Sequence, residues 1–221
     1  MGSADADLPY WQVNIPPDLR TASCPDFLLH ISLKDRGIIS TPDSHYTPDS
    51  WSTVQHKVAQ NRLELFQRLP SDLRSYLGFT WKLRQDYGSV MNFILTQRLG
   101  WDLPITPRGR PFEFGEDVKV LRNDWPYGID KRIVHLVVWT KFALEEDPAT
   151  GDLTDAARGE IEGYVRGAFA KVPRENVIWF KNWASLKSVK SVEHFHVMLF
   201  DPDPGFVKEI TNGDIPSCER E

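Results

Sequence analysis

Residues 123–141, NDWPYGIDKRIVHLVVWTK, constrain the fold of this chain more than any other stretch. A polar, turn-rich entry (Asn123, Asp124, Trp125, Pro126, Tyr127, Gly128) runs into Ile133, Val134, Leu136, Val137, Val138 and Trp139, a β-branched and apolar run of strand length. This pattern predicts a tight loop at a sheet edge that feeds a buried central strand. Pro126 fixes its own φ and biases Trp125 away from helix, and Gly128 tolerates positive φ. In the strand, His135 shares a face with Val137, Trp139 and Lys141, while Leu136, Val138 and Thr140 share the other. Asp124 and Asp130 read either as turn-capping residues or as members of a site held by the loop.

Upstream of this stretch the period is helical. Residues 1–46 carry scattered prolines and the aromatics Tyr10, Trp11 and Phe27, which predicts an arm wrapped on the body, with a short helix near 26–33. Thr47 and Pro48 open a helix with Trp51, Val54, Val58, Leu65 and Leu69 on one stripe; Ser71 caps a second with Leu73, Tyr76, Leu77 and Trp81 inward. Residues 89–99 continue as a third. After a Pro- and Gly-rich loop at 102–116, runs at 118–122, 133–141, 177–181 and 193–200 read as strands. An amphipathic helix capped by Thr154 (Ala157, Ile161, Tyr164, Val165, Ala168 inward) lies between the second and third.

The expectation is an α+β fold over residues 1–221 as a single domain: a wrapped arm (1–46), a helical half (47–101) and a sheet-containing half (117–200). The helical half packs on a small mixed β-sheet with one crossover helix. A right-handed crossover gives parallel pairing of 133–141 with 177–181 by default. The acidic, Pro-rich tail from Asp201 reads as surface.

No run of about 18 apolar residues is present, so no transmembrane span is expected. Cys24 and Cys218 are the only cysteines and make neither a disulfide framework nor a zinc ligand set. With an opening MGSADADLPYW that lacks the pattern of a secretory signal, this predicts a soluble, cytoplasmic protein without a membrane anchor. The net charge of −5 argues against a generally basic nucleic-acid protein, yet the charge is uneven. Residues 57–98, which include Lys82 and Arg84, carry a net +4. Residues 171–190 carry another +4, with Lys181, Lys187 and Lys190 interleaved with Trp179 and Trp183. Cations between aromatic rings suit single-stranded RNA, whose bases stack and whose phosphates pair with lysine.

The most informative chemistry lies in EHFHVMLF. His194 and His196, at i and i+2 of a strand, project side by side about 7 Å apart, with Met198 and Phe200 on the same face. Such a pair divides into a general base and a hydrogen-bond donor, or ligates a metal. No third ligand stands at a recognised zinc spacing, and a histidine triad would need histidine where Met198 stands. With no Gly-rich phosphate loop, GxSxG elbow or dinucleotide fingerprint, neither a metal nor a cofactor is expected.

The motifs NDWPYGIDKRIVHLVVWTK, WFKNWASLKSV and EHFHVML, with CPDFLL, IISTPDS, PSDLRSYL and YGSVMNFIL, span nearly the whole chain. On them the chain resembles the fungal N-acetylglucosamine-induced-protein family, a domain of unknown function. The same family looks like the one that contains the fungal arginine-containing cyclodipeptide synthases. The resemblance implies a tRNA-dependent aminoacyl-transferase of fungal secondary metabolism, joining arginine from arginyl-tRNA to a second amino acid as a 2,5-diketopiperazine.

Such a reaction needs three kinds of group. The guanidinium asks for carboxylates, for which Asp124, Asp130 and Glu193 are candidates, with Trp125 and Tyr127 as aromatic walls. The incoming amine asks for a base, His194, His196 or His135. The ester carbonyl asks for donors, Asn182 or Lys181. The tRNA would meet Lys181, Trp183, Lys187, Lys190, Lys82 and Arg84. Two other classes fit the same residues: a histidine-dependent nucleotide phosphoesterase and a non-catalytic N-acetylglucosamine-response protein.

Overall fold

The structure is a computed structural model that describes residues 8–182 and 192–220. Its class is α+β. Four strands, β1 (Val118–Arg122), β2 (Ile133–Thr140), β3 (Val177–Phe180) and β4 (Glu193–Phe200), form a sheet in the order β1-β2-β4-β3. Every pairing is antiparallel, which corrects the expected mixed sheet and the parallel pairing of β2 with β3. The two strands do run in the same direction, since each is antiparallel to β4. They are not neighbours because β4 is inserted between them.

The sequence of β4 explains the insertion. Residues 194–199 are all buried, so this strand needs a partner on each side and cover on both faces. β3 has only four residues, and Ile178 and Trp179 keep some exposure, which suits an edge.

The sheet is covered on both faces. On one, Leu136, Val138, Phe195, Val197 and Leu199 meet Ala157, Ile161 and Val165 of helix α5 (Asp155–Ala168). Thr154 caps α5 as expected, its hydroxyl accepting from Ala157 N at 3.2 Å. Phe206 joins this core. The tail after Asp201 therefore turns into helix α6 (Pro204–Ile210), capped by Asp203, instead of lying on the surface as expected.

The other face meets the N-terminal helices: α1 (Leu33–Ile39), α2 (Trp51–Ala59), α3 (Pro70–Tyr87) and α4 (Val90–Phe93), the last running into a π-helical segment, Ile94–Leu99. Val137 and Trp139 pack there with Leu83, Phe93 and Leu99. Ile133, Phe180 and Met198 pack with Val54, Leu63 and Phe66. His135, His194 and His196 lie on this face.

Several expected helix limits shift. Ser50, not Thr47, caps α2, accepting from Thr53 N at 3.2 Å. The expected continuation to Leu69 gives way to a 3₁₀ turn at Leu63–Leu65, and residues 66–69 lie outside any helix, because a residue before proline disfavours the α region. Pro70 then takes the first position of α3 instead of Ser71 serving as its cap. Trp81 is 40% exposed, not inward. Of the helix expected near 26–33 a 3₁₀ turn forms at Asp26–Leu28, and α1 begins only at Leu33, capped by Ser32.

In the arm, Val13 and Leu28 are buried and Tyr10 Oη donates to Leu28 O at 2.9 Å. The end of the arm pins the loop before β2. Tyr46 Oη is 3.1 Å from Gly128 O and 3.2 Å from Gln67 O, and Gly128 N donates to Gln67 O at 2.8 Å. Gly128 is not at positive φ; it is glycine because a Cβ there would collide with the Tyr46 ring. No helix among the described residues is long and apolar enough to cross a membrane.

Candidate functional site

Between the histidine-bearing face of the sheet and the helical half lies a cavity of about 240 Å³. Its floor is Val137, Trp139, His194 and His196; its walls are Tyr76, Phe79 and Leu83 of α3, Phe93 and Arg98 of the following turn, and Asn123, Asp124, Trp125 and Tyr127 of the loop. The break before Pro70 brings Glu64, Phe66 and Arg68 to the mouth, with Lys34 from α1. This volume lies below the range of about 300–1,000 Å³ typical of drug-sized ligand sites. One amino-acyl or nucleobase-sized group fits it.

The three histidines come together because register places them so. Trp139 is opposite His194 and Val137 opposite His196, which makes His135 a diagonal neighbour of His196 on the same face. His135 Nε2 lies 3.0 Å from His196 Nδ1, and His196 Nε2 lies 3.1 Å from the Asn182 amide. Asn123 approaches His135 Nε2 at 3.2 Å, its own Oδ1 fixed by Trp125 N at 2.9 Å. Rings close the relay: Phe180 stacks on His196 at 5.0 Å, and Tyr127 tilts over His135 at 5.1 Å.

Burial sets the charge of this relay. Desolvation pushes the His135 pKa down to about 3, helped by the positive charge of Arg68. His196 is held well below the ordinary histidine value, first by burial, then by the charges of its histidine neighbours and Arg68. Both imidazoles are neutral at neutral pH, so the pair shares one proton as donor and acceptor. His194 is placed differently. Its Nδ1 lies 2.9 Å from Val192 O, a bond in which Nδ1 carries the proton and Nε2 is the basic nitrogen. Trp139 packs on its ring at 4.4 Å between centroids.

Asp124 lines the cavity, but the guanidinium it holds is the chain's own. Arg98 Nε donates to Asp124 Oδ2 at 3.0 Å, and Ser217 N donates to Asp124 Oδ1 at 2.6 Å. Arg98 also makes a two-pronged pair with Asp214, at 2.6 and 2.9 Å. Its side chain is only 2% exposed. Burial opposes its charge, and the two carboxylates outweigh that, so its pKa is raised.

The other expected carboxylates lie elsewhere. Asp130 is paired with Arg132 outside the cavity, Arg132 lowering the Asp130 pKa to about 2. Glu193 opens β4 beside Lys181, at 3.6 Å. Lys181 is only 5% exposed and sits between Glu146 and Glu193. As a surface contact for tRNA phosphate or a cavity donor, that expectation is corrected. Lys82 and Arg84 are on the exposed side of α3, with Lys82 paired to Asp86 at 2.8 Å. Trp183, Lys187 and Lys190 lie outside the described residues.

The structure adds residues that sequence reasoning missed. Glu64 lines the cavity mouth, and its Oε2 has no hydrogen-bond partner among the described residues, Oε1 being held by Arg62. Arg68 and Arg98 are the others. Arg68 lies in the stretch expected to continue the helix to Leu69, but that helix ends at Ala59 instead, and the sequence carries no local signal for an Arg98–Asp214 pair. Among the described residues no group of three or more His, Cys, Asp or Glu is placed to hold a metal.

The family of proteins of unknown function DUF3605 matches residues 50–200 of this chain, which include all of the sheet and most of the cavity. The chain belongs to this family. It is 28% identical over 187 residues to N-acetylglucosamine-induced protein 1 of Candida albicans, covering 75% of this chain and 74% of that protein. It is 32% identical over 122 residues to uncharacterized protein YPL067C of Saccharomyces cerevisiae, covering 52% of this chain and 62% of that one. Among solved structures, the crystal structure of HTC1 superposes with a TM-score of 0.60 at 22% identity, over 76% of this chain and 98% of that one. The DUF3605 fold is thus shared with HTC1.

Proposed function

We propose that this DUF3605 protein is an aminoacyl-transferase, a tRNA-dependent cyclodipeptide synthase that joins arginine from arginyl-tRNA to a second amino acid. The observation that carries the reading is His194: a histidine with Nδ1 fixed on a carbonyl, so that Nε2 is the base, on the floor of an aromatic cavity sized for one aminoacyl group.

The chemistry follows from the residues. The α-amine of one aminoacyl ester gives a proton to His194 Nε2 and attacks the carbonyl of the other. A C–N bond forms, the ester C–O bond breaks, and the proton passes to the departing ribose oxygen. The same sequence run inside the resulting dipeptidyl ester closes the diketopiperazine and releases the second tRNA hydroxyl. Asn182, buried at 6% exposure between His196 and Tyr127, is a neutral hydrogen-bonding group in the same cavity as His194. Neutral His135 and His196 bring no cation that would repel the incoming guanidinium. With Asp124 engaged by Arg98, Glu64 is the carboxylate left to receive that guanidinium at the mouth.

Mass spectrometry of extracts from a heterologous host expressing the chain tests the reading. An arginine-containing diketopiperazine absent from the empty-vector host is the expected result; its absence with the protein folded and soluble overturns it.

A further inference from the structure

Arg68 and Trp125 both line the cavity, and each keeps donor capacity that no partner among the described residues takes up. Arg68 Nε donates to Trp125 O at 3.0 Å, and its guanidinium stacks 4.0 Å above Tyr76 and 5.7 Å from the Tyr127 ring, so the side chain is held from three sides. Among the described residues no carboxylate lies within salt-bridge distance of its two terminal nitrogens, which are left to donate elsewhere. The contrast with the other arginines of the cavity is direct, because Arg98 is matched by Asp124 and Asp214 and Arg122 by Glu219. Trp125 Nε1 is buried and has no hydrogen-bond partner among the described residues. Guanidinium and indole N–H groups are donors only, with no acceptor capacity of their own. A buried donor left unmade is costly, and the Trp125 indole N–H beside a guanidinium with no carboxylate partner calls for an acceptor-only ligand group.

We infer that Arg68 and Trp125 form an oxyanion subsite that binds a phosphate of the substrate. The assignment rests on the acyl-transfer reading of the same cavity. An ester-linked amino acid has no free carboxylate, so in an aminoacyl-tRNA end the oxyanion next to the ester is the phosphate on the 5′ side of the terminal adenosine. Planar, fork-shaped guanidinium is suited to such a group, and stacking on Tyr76 holds the fork in place without neutralising it. Arg68 and Trp125 are binding residues here, and the base remains His194.

Isothermal calorimetry on the full chain tests this with adenosine 5′-monophosphate, adenosine, inorganic phosphate and free arginine as probes, against Arg68→Gln, Arg68→Lys and Trp125→Phe. Adenosine 5′-monophosphate is expected to bind at least about 10-fold more tightly than adenosine, as one charge-assisted pair implies. Arg68→Gln is expected to lower its affinity about 10- to 100-fold and leave adenosine unchanged, with Arg68→Lys restoring part of the loss and Trp125→Phe losing a smaller factor. Equal binding of the nucleotide and the nucleoside by the wild type overturns the subsite, and that comparison needs no variant to fold. Undiminished nucleotide binding by folded Arg68→Gln overturns it too. Arg68-dependent binding of free arginine but not of the nucleotide overturns the phosphate assignment. Cyclodipeptide formation is scored separately: a protein that binds the nucleotide through Arg68 but forms no product keeps the subsite and loses the acyl-transfer reading.

Discussion

Arg98 joins three parts of the chain that are far apart in sequence: the turn after α4, the loop at Asp124 and the C-terminal segment at Asp214. Removing one partner of a buried charge cluster leaves the others uncompensated, which usually costs about 3–5 kcal/mol. Arg98→Met is therefore expected to lower unfolding stability by about that amount in urea titration, with Asp124→Asn losing less because Asp214 still holds the guanidinium. The buried histidines give a pH dependence of a known sign. The pKa of His135 and of His196 is depressed in the folded protein, so the unfolded chain binds more protons below the ordinary histidine pKa. Their contribution to stability is complete above about pH 6.5 and is lost as the pH falls below it, for His135 towards about 3. Each contributes a slope of up to about 1.4 kcal/mol per pH unit. Denaturant titrations between pH 7 and 4 should show that slope in the wild type and about half of it in His135→Gln; equal slopes would place the proton uptake elsewhere.

At the scale of elements, β2 carries the fold. Leu136 and Val138 are fully buried under α5, so Leu136→Ala should cost about 2–5 kcal/mol. Thr154→Ala, which removes only the α5 cap, should cost about 1 kcal/mol. A ranking in which the cap mattered more would contradict a sheet-centred core. These elements were legible because their signals are local: strand alternation in IVHLVVWT and EHFHVMLF, a cap followed by an apolar stripe in α5. Strand order was not, since nothing within β3 or β4 says which of them lies beside β2. The end of α2 was misjudged for a similar reason. Leu65 and Leu69 continue its helical spacing, and only Pro70 disfavours helix at the residue before it.

Across the whole molecule, the site is half legible. His194 and His196 could be placed together from a period of two, and His135 was assigned to a face of its strand; register then brought the three together. Asp124 was expected to take the guanidinium of a substrate arginine, and the structure engages it with the chain's own Arg98, 26 residues upstream. Glu64 and Arg68 reach the cavity only through the break before Pro70 and the packing of the helical half on the sheet, so no local pattern announces them. What the assembled cavity offers is a histidine with its Nδ1 fixed on a carbonyl, a neutral pair of buried imidazoles, a carboxylate and aromatic walls. The direct measurement of that account is a reconstituted reaction of purified protein with arginyl-tRNA and a second charged tRNA, comparing the wild type with His194→Gln. The wild type should form an arginine-containing diketopiperazine in a ribonuclease-sensitive manner, and His194→Gln should be slower by about 10²- to 10⁴-fold, the usual contribution of a general base, with tRNA binding unchanged. A wild type that makes no such product, or a folded His194→Gln that makes it at the wild-type rate, would contradict it.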